Sequence, residues 1–104
     1  MPKRRFEILL PLTHNDGRPV AADKFLQTRE ELVAEFGALS FYPQPIRGLW
    51  THKGARHEED SLRIFVDVSD TSKNRRFFAK WKARLLQRFE QIEIYIASYP
   101  VDIL

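Results

Sequence analysis

The feature that most constrains this chain of 104 residues is the order in which two hydrophobic repeats follow each other. A two-residue repeat is typical of a strand with one buried face, and a repeat of three or four residues is typical of an amphipathic helix. From the N-terminus, the repeats predict a strand, a helix, two strands, a helix and a strand. A length of 104 residues with 43% hydrophobic content suits one modest core. We therefore expect a single domain over residues 1–104 with no linker.

Three segments show the alternation of strands, at residues 6–10, 62–68 and 92–97. The segment 62–68 alternates most regularly, so we expect it to be central in the sheet. The remaining strand is expected at a sheet edge, because the segment 42–45 contains two prolines, which cannot donate a ladder hydrogen bond. The segment 46–54 is expected to extend this edge strand or to form a hairpin arm.

Two segments show helical spacing of their apolar residues. The first runs from Ala21 to Phe36 and is followed by Gly37, a residue that commonly ends helices. The second follows a group of helix N-cap candidates at residues 70–72 and carries a strongly aromatic face from Phe77 to Phe89. Both helices are therefore expected to pack on the same apolar core as the strands.

This order of elements resembles the ferredoxin-like superfold over nearly the whole chain. The resemblance implies an α+β sandwich, in which a four-stranded antiparallel sheet carries both helices on one face. The Asn15–Gly17 loop, the Gly48–Trp50 segment and the basic, aromatic second helix also resemble small bacterial proteins of no assigned activity. The superfold hosts enzymes, RNA binders, metal chaperones and regulatory dimers, so the resemblance alone implies no single function.

The sheet face opposite the helices is expected to carry a patch formed by Leu9, Phe65 and Tyr95. Exposed apolar patches usually mark partner surfaces, and a symmetric dimer is the simplest partner. Arg63 would then meet acidic side chains across the interface or within one sheet. The alternative is that the polar residues pair locally and that the C-terminal tail covers the apolar ones. We favour the homodimer.

Two places could hold a small-molecule or enzymatic site. His14 and Asp16 could form an acid–base pair in the first loop, and Trp50, His52 and His57 could line a pocket on the arm after the second strand. The alternatives are a loop built from turn-forming residues, an edge-strand packing anchor at Trp50 and a charged hairpin turn around His57. We predict no cofactor and no metal. The absence of cysteine also excludes thiol catalysis.

The second helix carries a run of basic residues, among them Arg75, Arg76, Lys80 and Arg84. Such a run could bind nucleic acid, but the net charge of +3 is mild for a dedicated nucleic-acid binder. The alternative is a solvated helix face whose long side chains cover aromatic rings. We favour this alternative.

No catalytic signature outweighs its structural alternative in this sequence. We therefore predict a non-catalytic binding or assembly module that dimerises through its sheet face. The alternatives are a small-molecule-binding or enzymatic domain, and a nucleic-acid-binding domain. An unidentified protein or small-molecule ligand remains open as a partner. The sequence shows no signal peptide and no membrane span, so a cytoplasmic location is expected.

Overall fold

The computed structural model describes residues 2–104, which form two helices and one antiparallel sheet of five strands. The elements are β1 (Lys3–Pro11), α1 (Ala22–Phe36), β2 (Ser40–Phe41), β3 (Ile46–His52), β4 (Ala55–Ser69), α2 (Ser72–Arg88) and β5 (Ile96–Val101). The sheet order is β2-β4-β1-β5, and β3 also pairs with β4. The predicted α+β, ferredoxin-like arrangement is confirmed. No helix among residues 2–104 is long and apolar enough to span a membrane.

The sheet has five strands instead of the four predicted, because β2 and β3 share one edge of the long strand β4. β3 pairs with residues 55–61 of β4, and β2 pairs with Ile64 and Phe65. The segment between them contains Pro43 and Pro45, which lack the backbone donor that a continuous ladder would need. The edge position predicted for the second strand is therefore confirmed.

A tight hairpin joins β3 to β4. Its two central residues, Lys53 and Gly54, have φ angles of 51° and 77°. Positive φ at both positions is the backbone of a two-residue turn that matches the twist of paired strands. The segment 46–54 is thus a hairpin arm, one of the two predicted alternatives. The charged turn considered around His57 is wrong, because His57 lies within β4 and pairs with Trp50.

The last strand begins later than the alternation of isoleucines predicted. β5 starts at Ile96, whereas Ile92 is 57% exposed and Ile94 is buried in a segment outside any strand. The side chain of Glu93 accepts a hydrogen bond from the backbone N–H of Ile94, which satisfies that donor without a ladder. The C-terminal tail considered as a cover for the open face, residues 99–104, is also partly in the sheet, because β5 runs to Val101 and Tyr99 is paired with Arg5.

Both helices pack on one face of the sheet, as predicted. The rings of Phe6 in β1 and Phe78 in α2 stack with their centroids 4.0 Å apart, and Phe36 of α1 stacks on the same Phe78 at 5.4 Å. The buried hydrophobic core consists of Phe6, Ile8, Leu10, Val20, Leu32, Ile64, Val66, Val68, Phe78, Trp81, Leu85, Phe89 and Ile94. The strand members of this core alternate along β1 and β4, so every second side chain points to the opposite, open face.

Candidate binding site on the open face of the sheet

Polar side chains cover the centre of the open face. Arg5 donates two hydrogen bonds, of 2.8 and 3.0 Å, to the carboxylate of Asp67 on the neighbouring strand. The guanidinium carbon of Arg5 also lies 4.1 Å from the ring centroid of Phe65. On the other side of β1, the hydroxyl of Tyr99 donates to Glu7 at 2.8 Å. The charged groups at the centre thus find partners within one sheet.

Aromatic and basic side chains also cover the open face around Phe65. The guanidinium carbon of Arg63 lies 3.7 Å from the ring centroid of Tyr42, and the rings of Tyr42 and Phe65 are 5.7 Å apart. Phe65 is therefore held between Arg5 and Tyr42 instead of standing free. The Nε atom of Arg63 is buried without a hydrogen-bond partner among residues 2–104.

The other two residues of the predicted patch, Leu9 and Tyr95, lie at the hairpin end of the open face and line a groove that Phe65 does not line. The backbone N–H of Leu9 donates to the carbonyl oxygen of Tyr95 at 3.0 Å, although Tyr95 lies outside β5. Both residues line a groove of about 330 Å³ between the end of β1, the β3–β4 hairpin and the segment 93–95. We call this cavity the hairpin groove. It is lined by Leu9, Pro11, Ile46, Arg47, Gly48, Leu49, Trp50, Glu59, Ser61, Glu93, Ile94 and Tyr95.

Gly48 helps to keep the hairpin groove open. It lies in β3 opposite Glu59, and a Cβ atom added to it would have no other heavy atom within 4 Å. Its φ angle is not positive, so the backbone does not require glycine there. A glycine within a strand often marks a place where another molecule approaches the backbone. Here the missing side chain leaves space beside the carboxylate of Glu59.

Glu59 is half-buried in the hairpin groove and forms no salt bridge among residues 2–104. Burial raises the pKa of Glu59 above its ordinary value, and the nearby His57 opposes part of this rise. Its sequence neighbour Glu58 points to the opposite face of the strand, where it contacts Arg47 at 3.4 Å. Glu59 is thus an acidic group whose charge has no fixed partner.

The other charged residues that line the groove are engaged elsewhere. The guanidinium of Arg47 binds Asp60 at 2.9 Å. The carboxylate of Glu93 accepts a hydrogen bond from Lys82 at 2.7 Å, and this bond and that from the Ile94 backbone hold the pKa of Glu93 below its ordinary value. The charge of the groove that remains uncompensated is therefore that of Glu59.

The structure brings together the three arm residues considered in the sequence. Trp50 and His57 are cross-strand partners whose rings stack 4.4 Å apart at 20°, and His52 lies 6.1 Å from Trp50 on the same face. The indole Nε1 of Trp50 is buried and has no hydrogen-bond acceptor within the described part of the chain. No group of three His, Cys, Asp or Glu residues in that part is arranged to hold a metal ion.

The first loop does not join this site. His14 is only 7% exposed, and its Nδ1 lies 3.3 Å from both the carbonyl oxygen of Phe89 and the carboxylate of Glu90. Asp16 instead accepts hydrogen bonds from the backbone and side chain of Arg18, at 3.0 and 2.6 Å. These bonds hold the pKa of Asp16 below its ordinary value. His14 and Asp16 therefore do not form the acid–base pair considered in the sequence, and the loop is anchored to the end of α2.

The basic residues of α2 differ in their contacts. Arg75 binds Asp70 at 2.6 Å, next to the helix N-cap formed by Thr71. Lys82 and Arg88 also form salt bridges. The other four, Lys73, Arg76, Lys80 and Arg84, are exposed and make no salt bridge among residues 2–104. The last three are spaced four residues apart, which places them on one helical face, and we call them the basic row.

Sequence reasoning missed several groove residues, notably Pro11, Ile46, Gly48 and Ile94. The available signal was Gly48 inside a strand, since strand glycines often mark a close approach. Pro11 and Ile46 become neighbours only through pairing. Ser61 of β4 is matched with Pro11 on one side and Ile46 on the other. This pairing register cannot be predicted from the spacing of residues along the chain.

No protein-family model and no curated protein matches the chain. Solved structures do match it. A phage SAM lyase in the apo state is 18% identical over 95% of this chain and 81% of that chain, with a TM-score of 0.67. The divalent cation tolerance protein Cut A1 from Thermus thermophilus is 16% identical over 95% of this chain and 84% of its own, with a TM-score of 0.63.

The periplasmic divalent cation tolerance protein CutA from Archaeoglobus fulgidus also matches, with 12% identity over 97% of this chain and 85% of that chain and a TM-score of 0.64. At such low identities the likeness concerns the fold alone. The comparisons therefore agree with the ferredoxin-like architecture and assign no activity to this chain.

Proposed function

We propose that this chain is a non-catalytic binding and assembly module that works through the open face of its sheet, with a second copy of the chain as its partner. The observation that carries the proposal is the exposed apolar rim of the hairpin groove. Tyr95 is 59% exposed and Ile46 is 40% exposed, on either side of the groove that Leu9 lines. No element of residues 2–104 covers this rim, and exposed apolar patches usually mark partner surfaces.

The contact would be symmetric, with the same rim used by both copies, as in most homodimers. The apolar rim is expected to supply most of its stability. The acidic groups first expected to meet Arg63 across the interface are occupied within one chain, since Asp67 binds Arg5 and Glu7 binds Tyr99. Arg63 then contributes through its packed position over Tyr42.

Light scattering across micromolar concentrations tests this proposal. A dimer is expected for the unaltered chain, and Tyr95→Lys is expected to shift it to monomer because a charge would be buried in the contact. Phe41→Lys is a matched control. Phe41 is 61% exposed, close to the 59% of Tyr95, but it does not line the hairpin groove and is paired with the core residue Ile64, on the helix side of the sheet. A monomer at all concentrations, or equal effects of both variants, would contradict the proposal.

Nucleic-acid binding through α2 is a second candidate, and the basic row favours it. Arg76, Lys80 and Arg84 are exposed on one helical face and make no salt bridge among residues 2–104. The enzymatic alternative has no comparable support. The groove that Trp50 lines does not include His14, and Asp16 is occupied by Arg18.

A further inference from the structure

We infer that the hairpin groove is a binding site for a small organic cation of the size of a single-ring aromatic amine. Two features of the groove support this inference. They are its shape beside Gly48 and the unpaired carboxylate of Glu59. Each restricts a different property of the ligand.

The shape restricts size and polarity. The volume of about 330 Å³ lies at the small end of the range usual for ligand pockets. Side chains of Leu9, Pro11, Ile46 and Ile94 supply apolar walls, which favour a hydrocarbon or aromatic body over a highly polar one. The open space beside Gly48 admits such a body next to the sheet.

The charge restricts the ligand to a cation. Arg47 and Glu93 also line the groove, but their charges are paired with Asp60 and Lys82. Glu59 is half-buried and has no such partner among the described residues. A half-buried carboxylate is stabilised by an opposite charge brought close to it, and an anion there would be repelled.

Trp50 lines the groove and provides a way to observe its occupation. Its ring stacks on His57 at 4.4 Å, and a ligand placed in the groove is expected to change the environment of this ring and of its indole N–H.

The test uses three probes that share a phenol ring and differ in charge. They are tyramine, a cation; 4-ethylphenol, which is neutral; and 4-hydroxyphenylacetate, an anion. Each is titrated into ¹⁵N-labelled protein while the indole N–H resonance of Trp50, assigned with Trp50→Phe, is followed. Trp81 is an internal reference because its indole N–H is bound to Glu31 at 2.8 Å, on the helix side of the sheet.

Tyramine is expected to move the Trp50 resonance and to bind at least about tenfold more tightly than the anion, because of the charge of Glu59. Glu59→Gln is expected to abolish this difference. Glu58→Gln is the matched control, since Glu58 is the neighbouring carboxylate on the opposite face of β4 and is expected to change nothing. Gly48→Leu is expected to block all three probes by filling the groove.

The inference is overturned if the anion binds as tightly as tyramine, or if no probe moves Trp50 at millimolar concentration. It is also overturned if Gly48→Leu keeps the Trp81 resonance of the folded protein and still binds tyramine equally well. The inference does not rest on self-association, but the proposed dimer would use the rim of the same groove. The titrations are therefore made at a protein concentration at which light scattering reports a monomer, so either proposal can fail while the other stands.

Discussion

Arg88 of α2 donates a hydrogen bond of 2.7 Å to the carboxylate of Glu31 in α1, and the side chain of Arg88 is only 9% exposed. The other carboxylate oxygen of Glu31 accepts from the indole of Trp81 at 2.8 Å, and Arg88 also donates to Thr28 at 2.9 Å. One carboxylate thus joins the two helices through both of its oxygens. Arg88 therefore has a structural role among the basic residues of α2, because it connects this helix to α1.

Glu31→Gln is expected to destabilise the protein by about 1–3 kcal/mol, because it leaves the largely buried Arg88 without its charged partner. Denaturant unfolding at neutral pH measures this change. The control is Glu30→Gln, at an adjacent site whose side chain is 68% exposed and pairs with Arg29 at 3.5 Å. Its expected effect is within about 0.5 kcal/mol. Equal effects of the two variants would contradict the role assigned to Glu31.

The same pair predicts a pH dependence. Burial alone would raise the pKa of Glu31, but the hydrogen bonds from Arg88 and Trp81 outweigh burial and hold the pKa below its ordinary value of 4.5. A lowered carboxylate pKa contributes stability above the unfolded-state pKa, and this stability is lost as the pH falls through the folded-state value. The difference in unfolding free energy between the unaltered chain and Glu31→Gln should therefore be constant near neutral pH and shrink below pH 4.5. A difference that grew on acidification would contradict this.

Glu59 should behave in the opposite way. Burial raises its pKa, with His57 opposing part of the rise, so the folded protein holds the proton more tightly than the unfolded chain. Such a group costs stability when it is ionised, and the cost disappears once the pH is below the unfolded-state pKa. Glu59→Gln is thus expected to stabilise the protein at neutral pH and to lose this advantage at acidic pH. Thermal unfolding over a pH series provides the measurement, and destabilisation at neutral pH would argue against an unpaired carboxylate.

Two glycines of the hairpin should respond differently to valine. Gly48 has room for a side chain and no positive φ angle, so Gly48→Val is expected to be neutral or to stabilise the fold by about 0.5–1 kcal/mol. Gly54 has a φ of 77° in the two-residue turn, so Gly54→Val is expected to destabilise it by about 1–3 kcal/mol. Comparison of their melting temperatures checks both values. A loss of stability at Gly48 similar to that at Gly54 would show that Gly48 has a conformational role.

The basic row provides the last prediction. If α2 binds nucleic acid, the affinity for a short single-stranded RNA should fall steeply as salt rises, and Arg76→Gln, Lys80→Gln and Arg84→Gln should together reduce that slope. Arg75→Gln is the comparison, since Arg75 is already bound to Asp70 and is expected to change the slope least. Fluorescence anisotropy over a salt series makes the measurement. Micromolar binding with no salt dependence would argue against the basic row.

The regular elements were predictable because their patterns are local. Burial alternates along β1 and β4 in the period of a strand, and Gly37 ends α1 with a φ of 79°. The segment after α2 shows the limit of this reasoning. Ile92 and Ile94 continue the alternation of β5, yet one is exposed and the other is buried in a segment without a ladder. A two-residue pattern cannot distinguish these cases, since the difference depends on where the chain re-enters the sheet.

The candidate site was predictable only in parts. Leu9 and Tyr95 were expected in an interface and Trp50 in a pocket, but the structure places all three around one groove. Their proximity follows from a turn at Lys53 and Gly54 and from the pairing of β4 with both β1 and β3. Such long-range pairing is not encoded in the spacing of the residues.

The position of β1 between β4 and β5 has a consequence for synthesis of the chain. Among the strands of the sheet β1 is synthesised first, whereas its neighbour β5 is synthesised last and pairs with β1 from Val101 opposite Lys3 to Ile96 opposite Ile8. β1 must therefore wait with one backbone edge unpaired until residues 96–101 have been made. A chain that stopped before Ile96 would leave that edge of β1 open to strands of other molecules, so premature termination should lead to aggregation instead of a smaller folded protein.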